Sequence, residues 1–201
     1  MPHFAQGVVK FQREVFPEKA ELFERLATGQ SPEALFITCS DSRIETAMLT
    51  QTDPGELFIC RNAGNIVPSY GPEPGGVSAT VEYAVAVLGV QDIVICGHSD
   101  CGAMGAISRC TCLDHLPAVA NWLRHSDAAK AINAAHEFDT PRAKLDGLVE
   151  SGRGARRNRR PAGGAIGQDD IHLDGRVAAR IQDFAADDID NCTHDFTFPE
   201  R

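Results

Sequence analysis

Two short motifs in the sequence combine side chains that bind a transition metal. The first is Cys39-Ser40-Asp41-Ser42-Arg43, and the second is His98-Ser99-Asp100-Cys101. Two thiolates and one imidazole are typical ligands of zinc. The spacing of His98 and Cys101 suits a turn that enters a helix, where both side chains can face one cation. If the fold brings the motifs together, they predict a zinc site formed by Cys39, His98 and Cys101.

Each motif follows a predicted β-strand. Short apolar runs over residues 34–39, 56–61 and 92–97 predict buried strands, because they lack alternation and are too short for independent helices. A helical pattern between the last two completes a strand–helix–strand unit, which is typical of a parallel sheet. Ligands of such sheets gather at the carboxyl ends of the strands. Either motif alone is also compatible with a core cysteine or an isolated histidine, whereas the pair favours a metal site.

The remaining apolar periodicity predicts helices around this sheet. Apolar residues recur at three- and four-residue steps over 4–27, where Pro17 is expected to divide the segment into two helices. Further helices are predicted over 77–88, from Gly102 onward and over 116–137. The predicted class is α/β, a single domain with a central, mostly parallel β-sheet flanked by helices and an N-terminal helical arm. We assign the arm to residues 1–30, the zinc-binding core to 31–150 and a C-terminal segment to 151–201.

Composition and charge exclude several classes of protein. The 201 residues are 43% hydrophobic and carry a net charge of −9, which provides a core and argues against a nucleic-acid binder. No apolar run approaches the roughly 18–20 residues that span a membrane. The N-terminus lacks the basic and apolar regions of a signal peptide. The seven cysteines are therefore expected to be thiols in a reducing compartment, and the predicted location is cytoplasmic.

The two motifs, in this order and context, resemble those of the β-class carbonic anhydrases. The resemblance extends from about Phe11 to Glu150. It includes Gly55-Glu56-Leu57-Phe58, Arg61-Asn62-Ala63-Gly64-Asn65, Gly75-Gly76 and Glu82-Tyr83-Ala84. Such a resemblance implies a zinc lyase that reversibly hydrates carbon dioxide to bicarbonate and a proton.

The resemblance also implies roles for five residues of the two motifs. Cys39, His98 and Cys101 would be the zinc ligands. The fourth position would hold water in an active site, or Asp41 in a closed one. Arg43 would keep the Asp41 carboxylate ionised and away from the metal, because a fixed guanidinium lowers the pKa of a carboxyl and binds it with two hydrogen bonds. Asp41 would then be free to orient the attacking nucleophile.

Three further residues match the substrate pocket of that family. Gln30 resembles the glutamine that hydrogen-bonds the substrate, and Phe58 and Tyr83 resemble an aromatic wall contributed partly by a neighbouring subunit. Without the resemblance, Phe58 and Tyr83 would be interpreted as core residues of a strand and a helix. A pocket of this kind needs two chains, so we expect a homodimer or a larger homo-oligomer.

The C-terminal segment departs from the family pattern. Five of the ten residues in 151–160 are arginine, which leaves almost no apolar face for the expected helix. In the strand expected over 171–177, Asp174 and Arg176 stand where the family has histidine and tryptophan. Replacing a buried tryptophan by arginine removes apolar area and adds a charge, so we expect a cost in stability or assembly.

Two other functions remain open from the sequence. One is a hydrolase of carbon disulfide or carbonyl sulfide on the same scaffold, which uses the same attack on a linear electrophile. The other is a catalytically silent zinc-binding scaffold protein.

Overall fold

The computed structural model describes residues 3–69, 71, 75–154, 170–173 and 177–183. The chain divides into two compact units, Met1–Ser31 and Pro32–Arg201. We refer to them as the N-terminal unit and the core unit and describe each by itself. Among the described residues, no helix is both long enough and apolar enough to cross a membrane.

The N-terminal unit is helical, as predicted, but its break lies elsewhere. It contains α1 (His3–Lys10), a π-helical turn (Phe11–Val15), α2 (Phe16–Glu18) and α3 (Ala20–Leu26). The predicted break at Pro17 is wrong, because the chain leaves helical geometry at Lys19, with φ −109° and ψ 20°. In the wide turn before Pro17 the Phe16 N–H donates to the Phe11 carbonyl, and such a turn accommodates a proline. The Phe11 and Phe16 rings pack on Phe23 of α3, at centroid distances of 5.7 and 5.2 Å.

The core unit is built on a five-stranded sheet with the strand order β2-β1-β3-β5-β4. The strands are β1 (Ala34–Cys39), β2 (Leu57–Asn62), β3 (Asp92–His98), β4 (Asp170–Leu173) and β5 (Val177–Asp183). Strand β1 pairs in parallel with β2 and β3, whereas β5 pairs antiparallel with β3 and β4. The predicted α/β class with a mostly parallel sheet is confirmed, and the three predicted strands agree to within one residue at each end.

Both faces of β1 are buried. Leu35 and Ile37 pack on one face in a cluster with Ala84, and Phe36 packs in a different cluster with Val94. This separation follows from the alternation of side chains along a strand, and it explains why the run does not alternate between apolar and exposed polar residues; the one polar side chain, Thr38, is buried and donates to the Cys96 carbonyl over 3.0 Å. Ala84 lies in the predicted helix between β2 and β3, which consists of α5 (Gly76–Glu82) and a π-helical turn (Tyr83–Val87).

The remaining helices follow the carboxyl ends of β1 and β3. They are α4 (Thr46–Thr50), α6 (Gly102–Ser108), α7 (Pro117–Leu123), α8 (Asp127–Ala134) and α9 (Pro141–Gly154), with a 3₁₀ turn (Arg124–Ser126) between α7 and α8. Apolar periodicity does not predict α9. This helix packs closely against the segment before it, because a Cβ at Gly147 would lie 2.6 Å from the Phe138 ring.

The strand expected over 171–177 corresponds to the end of β4 and the start of β5. Asp174, Arg176 and the arginine-rich residues 155–160 lie outside the described residues. The expected cost of the unusual C-terminal segment therefore stays a prediction.

Candidate metal centre

Cys39, His98 and Cys101 converge at the carboxyl edge of the parallel strands. Cys39 ends β1, His98 ends β3, and Cys101 is the N-cap residue of α6. The parallel register of β1 and β3 brings both strand ends together. The ligand atoms of the three residues lie within 4.8 Å of one another, and all three side chains are buried. Within the part of the chain that the structure describes, no other group of three or more histidine, cysteine or acidic side chains converges in this way.

One nitrogen of the His98 ring bonds the main chain, and the other faces the two thiols. Its Nδ1 lies 2.9 Å from the Ser99 carbonyl oxygen, and because a carbonyl can only accept, Nδ1 carries the hydrogen. Nε2 then carries a lone pair, yet this atom is buried without a hydrogen-bond partner. Leaving a buried polar atom unpaired costs about 1–3 kcal/mol. A lone pair of this kind beside two buried thiols fits a zinc ion, and the backbone bond at Nδ1 is the usual support of a histidine ligand.

The two thiols interact with each other and with one backbone amide. Their mutual hydrogen bond lowers the pKa of Cys39 and raises the pKa of Cys101. The Gly64 N–H also donates to Cys39 Sγ over 3.3 Å. Gly64 has a φ of +84°, and a Cβ there would lie 3.0 Å from the Ala103 Cβ. A glycine is therefore required for this backbone to approach the sulfur.

Asp41 and Arg43 form a bidentate ion pair beside the three ligands. Arg43 Nε donates to Asp41 Oδ1 over 2.9 Å, and Arg43 Nη2 donates to Oδ2 over 2.7 Å. These hydrogen bonds hold the pKa of Asp41 well below its usual range. Asp41 Oδ2 lies 3.9 Å from His98 Nε2, so the carboxylate faces the ligand group while it remains bound to Arg43. Arg43 Nη2 also donates to the Asp100 carbonyl over 3.1 Å.

Arg61 is a site residue whose contacts the sequence motifs did not reveal. It lies on β2, and its guanidinium donates to two carbonyls at and just after the end of β1, those of Cys39 at 3.1 Å and Asp41 at 2.8 Å. Arg61 belongs to a motif that resembles the family, but the sequence gives no indication that it contacts Cys39. The two residues are brought together by the register of β1 and β2, in which Arg61 pairs with Thr38, the residue before Cys39.

Phe58 and Tyr83 lie together, away from the ligands of their own chain. Their ring centroids are 5.8 Å apart. Phe58 is in register with Leu35, four residues before Cys39, which is about 13 Å along the strand. Gln30 is an exposed residue of the N-terminal unit, after α3. The structure thus brings together the predicted ligands with Asp41 and Arg43, and separately Phe58 with Tyr83.

Three buried side chains that could hold a metal ion, at the carboxyl edge of a parallel sheet, are the arrangement of a metal-binding α/β protein. Comparison with known sequences identifies the family. A family model described as carbonic anhydrase matches residues 34–152. A carbonic anhydrase of Pseudomonas aeruginosa is 64% identical over 149 residues, which cover 74% of this chain and 68% of that protein. The chain belongs to the β-carbonic anhydrase family.

Solved structures show the same fold. The β-carbonic anhydrase CcaA is 38% identical, with a TM-score of 0.69 over 74% of this chain and 73% of that one. A β-carbonic anhydrase from Sordaria macrospora, described as tetrameric, is 29% identical, with a TM-score of 0.61 over 78% of this chain and 81% of that one.

Proposed function

We propose that this protein catalyses the reversible hydration of carbon dioxide to bicarbonate and a proton at a zinc ion held by Cys39, His98 and Cys101. The observation that carries the proposal is the convergence of these three buried ligands, with Asp41 facing them and bound to Arg43. Family membership supports the reaction, and the unpaired His98 Nε2 supports the metal.

When bound, zinc supplies a Lewis acid that makes water a nucleophile near neutral pH. Cys39 and Cys101 would bind as thiolates, and two negative charges in a buried site need a divalent cation to balance them. His98 would bind through Nε2, since the Ser99 carbonyl occupies the other nitrogen. Together they would hold the metal at the end of the sheet, where Asp41 faces the group.

Asp41 would orient the attacking water. Because the pKa of Asp41 is held well below its usual range, its carboxylate stays ionised near neutral pH and accepts a hydrogen bond rather than a proton. The hydrogen of the water would point to Oδ2, which leaves a lone pair for the carbon of the substrate. Arg43 binds both carboxylate oxygens, so it would also keep Asp41 from becoming a fourth ligand, which is the closed form of the site.

We further propose that Gln30, Phe58 and Tyr83 form the substrate pocket in an assembly of at least two chains. Phe58 lies about 13 Å along the strand from Cys39 of its own chain, and Tyr83 packs against Phe58, which favours a role of the pair in the site of a neighbour. A homodimer or a larger homo-oligomer is also consistent with the tetrameric relative. The described cysteines are free thiols, which supports a reducing, cytoplasmic location.

Metal analysis combined with a hydration assay tests the proposed reaction. We expect one zinc per chain and rapid hydration of carbon dioxide, and Cys101→Ser should lose metal and activity together. Cys112→Ser is a matched control, because this exposed thiol lies outside the ligand group. Carbonyl sulfide and carbon disulfide in the same assay test the hydrolase alternative. Full zinc content in Cys101→Ser would contradict the ligand assignment, and zinc-loaded protein without any activity would favour the silent scaffold.

A further inference from the structure

Arg61 binds the main chain on both sides of Ser40. Its Nε donates to the Cys39 carbonyl over 3.1 Å, and its Nη2 donates to the Asp41 carbonyl over 2.8 Å. Between these two carbonyls, the Ser40 N–H donates in turn to the carbonyl of Asn62, the last residue of β2, over 2.9 Å. The segment that joins the first predicted ligand to Asp41 is therefore tied to β2 at three consecutive residues.

The shape of the guanidinium makes this contact restrictive. Arginine presents its N–H donors in a rigid, planar fork. Two bonds from this fork to the Cys39 and Asp41 carbonyls therefore restrict both the orientation of the two carbonyls and the distance between them. The Asp41 carbonyl lies two residues beyond the end of β1, past the main-chain bond that the Ser40 N–H makes to β2. Arg61 adds a bond to β2 at Asp41, and this bond sets how the main chain of Asp41 is turned relative to Cys39.

The pair with Arg43 cannot set this orientation by itself. Arg43 is only two residues from Asp41, and its side chain is 61% exposed. Both residues of the pair belong to the same turn, and outside that turn the pair is held by the bond from Arg43 Nη2 to the Asp100 carbonyl in the loop after β3. Arg61 comes from a neighbouring strand of the sheet, and it connects the Asp41 carbonyl, which also accepts from the Ile44 N–H of its own turn, directly to β2.

We propose that Arg61 is a positioning residue, which keeps Asp41 turned toward Arg43 and out of the fourth ligand position. This inference deepens the proposed function and rests on it. Without the Arg61 fork, the turn after Cys39 would relax, and the Asp41 carboxylate could move the short distance from its place 3.9 Å from His98 Nε2 into the ligand group. Chains in that closed state would hold metal but would not turn over.

Kinetics of two Arg61 variants give the first test. We expect Arg61→Met to keep its zinc while kcat falls about tenfold or more, the usual effect of losing a residue that supports a metal ligand set. KM should change little, because the chains that remain open bind substrate normally. Arg61→Lys retains the charge but not the fork, so its kcat should lie between those of Arg61→Met and the parent. Arg109→Met is the control for loss of an exposed arginine. The Arg109 guanidinium lies beside Gly105 of α6, the helix that Arg109 follows, and Arg109 is not part of the ligand group.

The cobalt(II)-substituted protein gives a second test that does not depend on turnover. Thiocyanate should change the visible spectrum of the parent protein, because an open fourth position admits an anion. Arg61→Met should respond weakly, since Asp41 occupies that position. The double variant Arg61→Met/Asp41→Asn should respond again, because an amide is a weaker ligand than a carboxylate.

Two results would overturn the proposal. One is a kcat per bound metal that equals the parent value in both Arg61→Met and Arg61→Lys, which would make Arg61 a residue of general stability only. The other is a parent-like thiocyanate response in cobalt-substituted Arg61→Met or, if that variant does not fold, in Arg61→Lys. Failure of the parent zinc protein to hydrate carbon dioxide would refute the proposed function instead, and the cobalt titration would still decide the role of Arg61.

Discussion

The guanidinium of Arg43 binds both carboxylate oxygens of Asp41, at 2.9 Å from Oδ1 and 2.7 Å from Oδ2. The Arg43 main-chain N–H adds a third bond to Oδ1, at 3.0 Å. Arg43 thus donates three hydrogen bonds to the Asp41 carboxylate, while Oδ2 also faces His98. In the proposed reaction this arrangement lets the Asp41 carboxylate accept a hydrogen bond from water and prevents it from becoming a metal ligand.

Replacing Arg43 should abolish most activity without removing the metal. In Arg43→Ala the Asp41 carboxylate loses its bidentate partner and is free to enter the ligand group, so we expect the hydration rate to fall about 10- to 100-fold at full zinc content. Arg43→Lys, which can offer a point charge but no fork, should recover part of the rate. Metal content and steady-state kinetics measure both effects. Near-normal hydration by Arg43→Ala would show that the pair is an ordinary surface ion pair.

The Asp41–Arg43 pair should also give a defined pH dependence of stability. The pKa of Asp41 is lowered in the folded chain, chiefly by the side-chain hydrogen bonds of Arg43. The pair therefore stabilises the fold fully above the ordinary carboxyl pKa of 3.8, and this contribution is lost as the pH falls through the lower folded value.

Urea unfolding of the metal-free parent and of metal-free Asp41→Asn measures this contribution. We expect a difference in the free energy of unfolding that is present at about pH 5 and above and that shrinks below about pH 4. A difference that grows as the solution becomes more acidic would have the wrong sign and would contradict the assigned shift.

Gly64→Ala should destabilise the core unit and weaken metal binding. The φ of +84° is strained for alanine, and its Cβ would lie 3.0 Å from the Ala103 Cβ and 3.2 Å from the Met104 Cε. We expect a loss of about 1–3 kcal/mol in the free energy of unfolding. Gly76→Ala is the matched control, because a Cβ there meets nothing within 4 Å and the position starts α5. Equal stability of the two variants would refute the close approach of the Gly64 turn.

Mixed assemblies test whether the aromatic pair serves a neighbouring site. Phe58→Ala damages the pocket wall, whereas Asp41→Asn damages the ligand side. If each site combines the ligands of one chain with Phe58 and Tyr83 of another, co-expressed chains form some sites with both halves intact. We therefore expect the mixture to exceed the activity of either variant alone, with sedimentation showing a dimer or larger. A mixture no more active than its components would place the aromatic pair outside the site.

The strands and the ligand types could be predicted because they depend on local sequence. The segments 34–39 and 92–97 are apolar without alternation, and a segment buried on both faces of a sheet leaves no other pattern. Cys39, His98 and Cys101 carry their chemistry in their side-chain type, so their positions at strand ends predicted the group that the structure brings within 4.8 Å.

Other features depend on contacts between distant parts of the chain. The helix break lies at Lys19 rather than Pro17. A π-helical turn precedes Pro17, which has no N–H to donate, and the Phe11 and Phe16 rings pack on Phe23. Arg61 acts through carbonyl oxygens, which every residue possesses, so no motif marks its targets.

The amino-acid sequence by itself determined the α/β class, the parallel strands and the three residues that can bind a metal, because burial pattern and side-chain chemistry are properties of short segments. Only the tertiary structure decided how the site is held. The register of β1 with β2 places Arg61 against the turn after Cys39, and the close approach at Gly64 brings an amide to the Cys39 sulfur. These contacts are set by packing between strands and helices far apart in the chain, where hydrogen-bond geometry rather than residue type selects the partner.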